Sequence, residues 1–174
     1  MPLPAADGGR RGTSLARVVL PVSDGIVTVR PFVAADRELV LAGRDEAWAR
    51  WLGPGAPEPA PTACIVVGER VVGWIDADPT PVWLRPGEIN VGYSVFRGHR
   101  GLGYAARAVR LLAPELGAQG LHRVLLVIDV RNRASLGVAR AAGARPLASR
   151  SMTQFPTSAV YGLELGPARP PRAP

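Results

Sequence analysis

Glycine and basic residues crowd into one short stretch, Arg97-Gly98-His99-Arg100-Gly101-Leu102-Gly103-Tyr104-Ala105, just before a run with helical spacing. Glycines at such a junction let the backbone approach a ligand and adopt dihedrals closed to other residues. The first turn of a helix leaves its amides unpaired at the positive end of the macrodipole. Together these make a seat for an anion such as a pyrophosphate. Ala105 keeps the helix surface low beneath it, and Arg97, His99, Arg100 and Arg107 add donors around it. A purely structural turn would read much the same from this window. Two nucleotide motifs are excluded, because no Gly-Lys-Ser/Thr occurs and Gly98, Gly101 and Gly103 do not have the G-x-G-x-x-G spacing.

Other reactive residues are sparse. Cys64 is the only cysteine, it lies in the apolar run Ala63 to Val67, and it reads as a buried thiol rather than a nucleophile. His99 and His122 stand alone, so no metal site is expected. Trp48 and Trp51, three apart, either line an acceptor pocket or pack in the core. The net charge is +7, and all 21 basic residues are arginine. That charge suits a polyanionic cofactor or an acidic substrate, or a nucleic acid. Against nucleic acid, no zinc-finger or RNA-recognition fingerprint is present and only 6% of residues are aromatic. No apolar run is long enough to cross a bilayer, and no signal-peptide pattern opens the chain. The expectation is a soluble cytoplasmic protein that binds neither nucleic acid nor membrane.

The 174 residues suit one domain, expected over residues 21–165 between flexible ends at 1–20 and 166–174. Residues 26–32 read as a strand and 34–47 as an amphipathic helix. Prolines exclude regular structure from residues 54–61. Residues 63–67 and 71–76 flank a short turn and form a hairpin. A further strand spans 88–96, a helix spans 103–116 with Pro114 expected to kink or end it, and residues 124–128 make a strand covered on both faces. A helix over 134–142 is capped by Gly143, and strands at 147–155 and 159–165 close the chain. This is a mixed α/β domain with antiparallel strands first and a β-α-β crossover near its centre.

Several of these segments carry a resemblance to one family. Arg100 to Ala105 is similar to the [Q/R]-x-x-G-x-[G/A] signature of the GCN5-related N-acetyltransferase (GNAT) superfamily, at the same strand-to-helix junction. Glu88-Ile89-Asn90-Val91-Gly92-Tyr93, Asn132-Arg133-Ala134-Ser135, Ala142-Gly143-Ala144 and Val29-Arg30-Pro31 resemble the branch that acetylates the N-termini of ribosomal proteins. The resemblance covers about residues 25 to 165. It implies the GNAT fold, a mostly antiparallel sheet of about six or seven strands with helices on both faces. It implies acetyl-CoA as cofactor, with Tyr93, Ser94, Val95 and Phe96 pairing their backbone with the pantetheine, Arg100, Gly101, Leu102, Gly103, Tyr104 and Ala105 holding the pyrophosphate, and Asn132 and Ser135 contacting the arm.

For the chemistry, the resemblance makes Glu88 a candidate base, with a surface carboxylate at a strand entry as the alternative. The tyrosine that many relatives use as general acid is missing between Asn132 and Phe155, which leaves Ser135 as a substitute or as a helix cap. The acceptor is a small-molecule amine or a protein N-terminus. Trp51, Trp74, Asp76, Glu88 and Phe155 are its candidate contacts, with Asp78, Trp83 and Met152 nearby; Asp76 and Asp78 read equally as turn residues. A non-catalytic acetyl-CoA sensor of the same fold is the alternative function. A homodimer agrees with the resemblance, although no segment specifies an interface.

Overall fold

The computed structural model describes residues 18–53, 55–150 and 156–166. Most of the expected flexible ends, as well as Met152 and Phe155, lie outside the described residues. Eight strands form one sheet in the order β1-β2-β3-β4-β5-β6-β8-β7. They are β1 (Val22–Ser23), β2 (Thr28–Pro31), β3 (Ala63–Val67), β4 (Arg70–Asp78), β5 (Glu88–Val95), β6 (Arg123–Asp129), β7 (Arg145–Pro146) and β8 (Ser158–Glu164). Four helices accompany them: α1 (Arg37–Ala42), α2 (Glu46–Leu52), α3 (Tyr104–Gly117) and α4 (Arg133–Ala142). Every neighbouring pair is antiparallel except β5 and β6, which α3 joins in parallel. The sheet exceeds the expected strand number because β1 is an added edge strand. β7 is shorter than expected and earlier, with a turn at Ala148 and Ser149 where the strand was read.

Alternation along the strands sets the two layers. Val29 and Ile65 join Val109, Leu112 and Leu116 of α3 in the main core, so the period-3.6 stripe of α3 lies on that face. Their strand neighbours Arg30 and Cys64 point the other way, where both meet Asp36 just before α1. α1 and α3 therefore cover opposite faces. β6 is covered twice, as its unbroken apolar run requires: Val124, Leu126 and Ile128 pack in the main core, while Leu125 meets Val160, Trp83 and Leu84 on the other side. Each fully buried aliphatic side chain contributes about 1.5–3 kcal/mol of transfer free energy.

The expected helix over 34–47 is two helices. Gly43 closes α1, and a side chain there would overlap the Phe96 ring. Asp45 is extended, and its carboxylate accepts from the Trp48 amide at 2.9 Å, which starts α2 as an N-cap. Pro114 does not end α3, which runs three residues further to Gly117. α4 and its left-handed Gly143 cap fall as expected.

Arg30 grips Asp36 with both guanidinium nitrogens at 2.7 Å, and the Val33 amide adds a third bond. The Arg30 hydrogen bonds hold the Asp36 carboxyl at about 2, below the ordinary 3.8, against the opposing effect of burial. A carboxyl depressed in the folded state stabilises fully above its unfolded pKa and loses that contribution as pH falls through the folded one. Asp36→Asn is accordingly expected to lower stability at neutral pH and to flatten its fall between about pH 4 and pH 2. Urea midpoints against pH test this, and parallel acid limbs in the two proteins would count against it.

Candidate functional site

The two parallel strands stay together only briefly. β5 and β6 share the pairs Glu88–Arg123, Ile89–Val124 and Asn90–Leu125, and beyond these they diverge although both continue. The β6-facing backbone groups of Val91 to Val95 thus have no ladder partner. α3 follows the free end of β5 and α4 follows the free end of β6, so both helix starts open onto the gap. The result is a cleft of about 370 Å³ lined by Tyr93, Ser94 and Val95, by Arg100, Gly101, Gly103, Tyr104 and Ala105, by Asn132 and Ser135, and by Trp48 and Trp51 of α2.

The start of α3 is the least satisfied part of this wall. Gly101 and Gly103 both have φ of 78°, a conformation that strains any other residue. Gly103 is the N-cap, no side chain caps the helix, and its first turn holds no acid. Its free amides and positive dipole end therefore face the cleft without a protein anion. Ala105 is buried beneath them. Leu102 is exposed and Phe96 packs on Gly43, and neither lines the cleft.

Two of the three arginines expected to flank a phosphate, Arg100 and Arg107, are engaged elsewhere. Arg100 donates to the Val95 carbonyl at 2.7 Å and grips Asp45 with two bonds of 2.8 and 2.9 Å. That grip, with the Trp48 amide, holds the Asp45 carboxyl at about 2. Arg107 pairs with Asp24 at 2.7 Å. His99 lines the cleft, and Arg97 is exposed and forms no ion pair among the described residues. At α4 the cap is Asn132, whose Oδ1 accepts from the Ser135 amide at 3.1 Å. Tyr93 reaches across and donates to the Ser135 carbonyl at 3.4 Å. Burial pushes the Tyr93 hydroxyl up to about 12, so it stays protonated throughout the neutral range.

A second cleft of about 370 Å³ adjoins the first across α2, since Trp48 and Leu52 line both. Its other walls include Arg44, residues 55–61 in part, Trp74 and Asp76. Trp74 and Asp76 are thus brought together, one cleft away from Trp51. Asp76 accepts from the Thr62 amide and hydroxyl at 2.9 and 2.8 Å. Asp78 holds the Thr80 turn instead, and Trp83 covers the far face of β6.

Glu88 is in neither cleft. It lies about 17 Å from Tyr93 along β5, at roughly 3.3 Å per residue. Its side chain is 1% exposed, bonded to Arg123 at 3.2 Å, to Arg150, and to the Arg85 amide at 2.9 Å. The geometric condition for a base at the cleft is therefore not met. Cys64 is buried against Asp36, and burial raises its thiol to about 12, which leaves no thiolate at neutral pH.

Sequence reasoning missed Arg44 and Asp45. The signals were present, as Gly43 followed by Asp45 is a helix stop and restart. The partners of Asp45 and Arg100 are 55 residues apart and left no local trace.

A family model described as acetyltransferase (GNAT) domain matches residues 27–145. A search of curated proteins returns no match. Among solved structures, a GNAT-family acetyltransferase from Bacillus anthracis aligns at TM-score 0.68 and 16% identity, over 83% of this chain and 98% of that one. An acetyltransferase from Agrobacterium tumefaciens C58 aligns at 0.67 and 22%, over 89% and 99%. The aminoglycoside acetyltransferase AAC(6')-Ib, solved with paromomycin and acetyl-CoA, aligns at 0.65 and 14%, over 79% and 92%. These likenesses establish the fold, and the family model spans most of the sheet together with both helices at the cleft. The chain belongs to the GNAT acetyltransferase family.

Proposed function

We propose that this protein is an N-acetyltransferase that takes acetyl-CoA in the β5/β6 cleft and passes the acetyl group directly to a primary amine, on a small molecule or a protein N-terminus. The observation that carries the reading is the start of α3, uncapped, free of acid and opening onto a cleft between diverging strands. Acetyl-CoA, when bound, supplies an activated acetyl thioester. The residues present fit such a group. The amides from Gly101 to Ala105 suit its pyrophosphate, the β6-facing backbone along Tyr93, Ser94 and Val95, where only the Val95 carbonyl is taken by Arg100, suits its pantetheine amides, and Asn132 and Ser135 border the arm. Arg100 acts indirectly, by tying α2 to the end of β5 through Asp45.

In direct transfer the amine nitrogen bonds to the acetyl carbon, the carbon–sulfur bond breaks, the nitrogen loses a proton and the sulfur gains one. The backbone amide of Val95 suits the developing oxyanion. Ser135 and Tyr93 are hydroxyl-bearing residues of the cleft wall; burial keeps the Tyr93 hydroxyl protonated but makes it a weak acid, which suits a hydrogen-bond donor better than a proton source. We assign Glu88 to holding β5, β6 and the segment at Arg150 together rather than to proton transfer. Membership of the ribosomal-protein branch rests on the sequence segments at Glu88, Asn132 and Val29 alone.

Four experiments test this reading. Mass spectrometry of an amine panel with acetyl-CoA is expected to show acetylated product together with free CoA; binding without product would favour the sensor. Acetyl-CoA at one hundred times Kd is expected to stabilise the fold by about 2.7 kcal/mol, seen as a rise in Tm. Gly103→Val is expected to weaken that binding about tenfold, and an unchanged Kd would remove the phosphate seat from α3. Glu88→Gln is expected to cost about 3 kcal/mol in urea unfolding because it leaves the largely buried Arg150 guanidinium without its carboxylate, whereas Arg123 keeps Glu164. Its pH–rate profile should match that of the parent, and a lost basic limb would return Glu88 to catalysis.

A further inference from the structure

On the second cleft Arg44 has no anionic partner among the described residues, although Asp76 lines the same cleft. Arg44 lies in the break between α1 and α2, with its guanidinium stacked on the Trp48 ring 4.6 Å from the centroid. It forms no ion pair among the described residues, and in particular none with Asp76 across the cleft. Its one hydrogen bond there runs to the Ala56 carbonyl. Among the described residues, Arg44 Nε is buried with no partner, and so is Nε1 of Trp48, a residue more than nine-tenths buried. Both residues line the same cleft.

A buried donor without an acceptor costs about 1–3 kcal/mol, and a buried unpaired charge costs more. Arg44 is half-buried, so it is the two orphan donors, beside a positive charge, that point to a missing acceptor of anionic character. A carboxylate matches best, because its two oxygens can take a fork and an indole N–H together. Asp76, with one oxygen held by Thr62, sets a negative charge on the same cleft and disfavours a dianion such as a phosphate monoester. It also suits an ammonium group on the same ligand.

Resting on the transferase reading of the neighbouring cleft, we propose that the acceptor is a small amino-carboxylic acid whose carboxylate is held by Arg44 and Trp48. The shared residues Trp48 and Leu52 set this carboxylate site beside the donor cleft. A polycationic acceptor, of the kind aminoglycoside acetyltransferases take, would meet Arg44 as a repulsive charge.

The test uses the full chain and a matched pair of product mimics, N-acetylglycine and the uncharged N-acetylglycinamide. The protein has four tryptophans, so four indole N–H signals are followed by NMR. N-acetylglycine is expected to move one of them downfield and saturably, that signal being absent in Trp48→Phe, with N-acetylglycinamide at least about tenfold weaker. Arg44→Gln is expected to abolish the difference between the two. Equal responses to the pair, no response to either, or a preference that survives Arg44→Gln overturns the proposal. The paired comparison in the unaltered protein decides even where a variant folds poorly. In turnover, glycine and β-alanine are expected to outcompete a peptide amide beginning with Asp, and equal use of that peptide overturns the small-acid assignment. Titration with acetyl-CoA, followed at the amide signals of Gly101 and Gly103, reports the donor reading separately, so failure of one is distinguishable from failure of the other.

Discussion

The cleft that opens onto the starts of α3 and α4 depends on β5 and β6 parting after Asn90 and Leu125. Parallel strands joined by a helix normally remain paired along their length, because each unpaired backbone group inside a protein costs about as much as a lost hydrogen bond. Here the pairing stops while both strands continue, and the helices that follow are carried apart with them. The gap is therefore made of backbone donors and acceptors on one wall and two helix starts on the other. Few side chains are needed to make it receptive to an extended, amide-bearing anion.

The divergence has to be held open from outside the strands. Arg100 does this at the end of β5, since one guanidinium bonds the Val95 carbonyl and both oxygens of Asp45. Asp45 in turn caps α2, so the helix carrying Trp48 and Trp51 is locked against the mouth of the gap. At the opposite end Glu88 closes β5 onto β6 through Arg123, a residue of its own register partner strand. Arginine–carboxylate grips thus stand at both ends of β5, with the open gap near one and the closed ladder at the other.

The parts of this arrangement that were legible in the sequence are those governed by local rules. The β3–β4 hairpin, the junction into α3, the Gly143 stop and the doubly covered β6 follow from turn chemistry and periodicity within about a dozen residues. What escaped were decisions made by distant partners. Arg107 reads as a phosphate ligand until Asp24, 83 residues earlier, takes its charge. Glu88 reads as a base or a surface carboxylate, and nothing near it in the sequence announces the bond from Arg150, 62 residues later. Pro114 does not stop α3, which runs on to Gly117 although the ring removes the amide that the Arg110 carbonyl would accept from. The break at Gly43 to Asp45 was legible in principle, but the apolar stripe across it read as continuous.

Those distant pairings also change what the charge of +7 means. Arg100 and Arg107, the arginines nearest the start of α3, are each neutralised by an aspartate, so positive potential at the cleft comes chiefly from oriented amides. Amides of this kind bind an anion only where it can lie within a few ångströms of the backbone, which rewards shape over charge. The uncompensated guanidinium of Arg44 lies instead in the adjoining cleft, stacked on an indole. The chain thus separates two kinds of anion recognition, a backbone seat that leaves only glycines in the sequence and a side-chain site that depends on a single arginine, with Trp48 as the wall common to both.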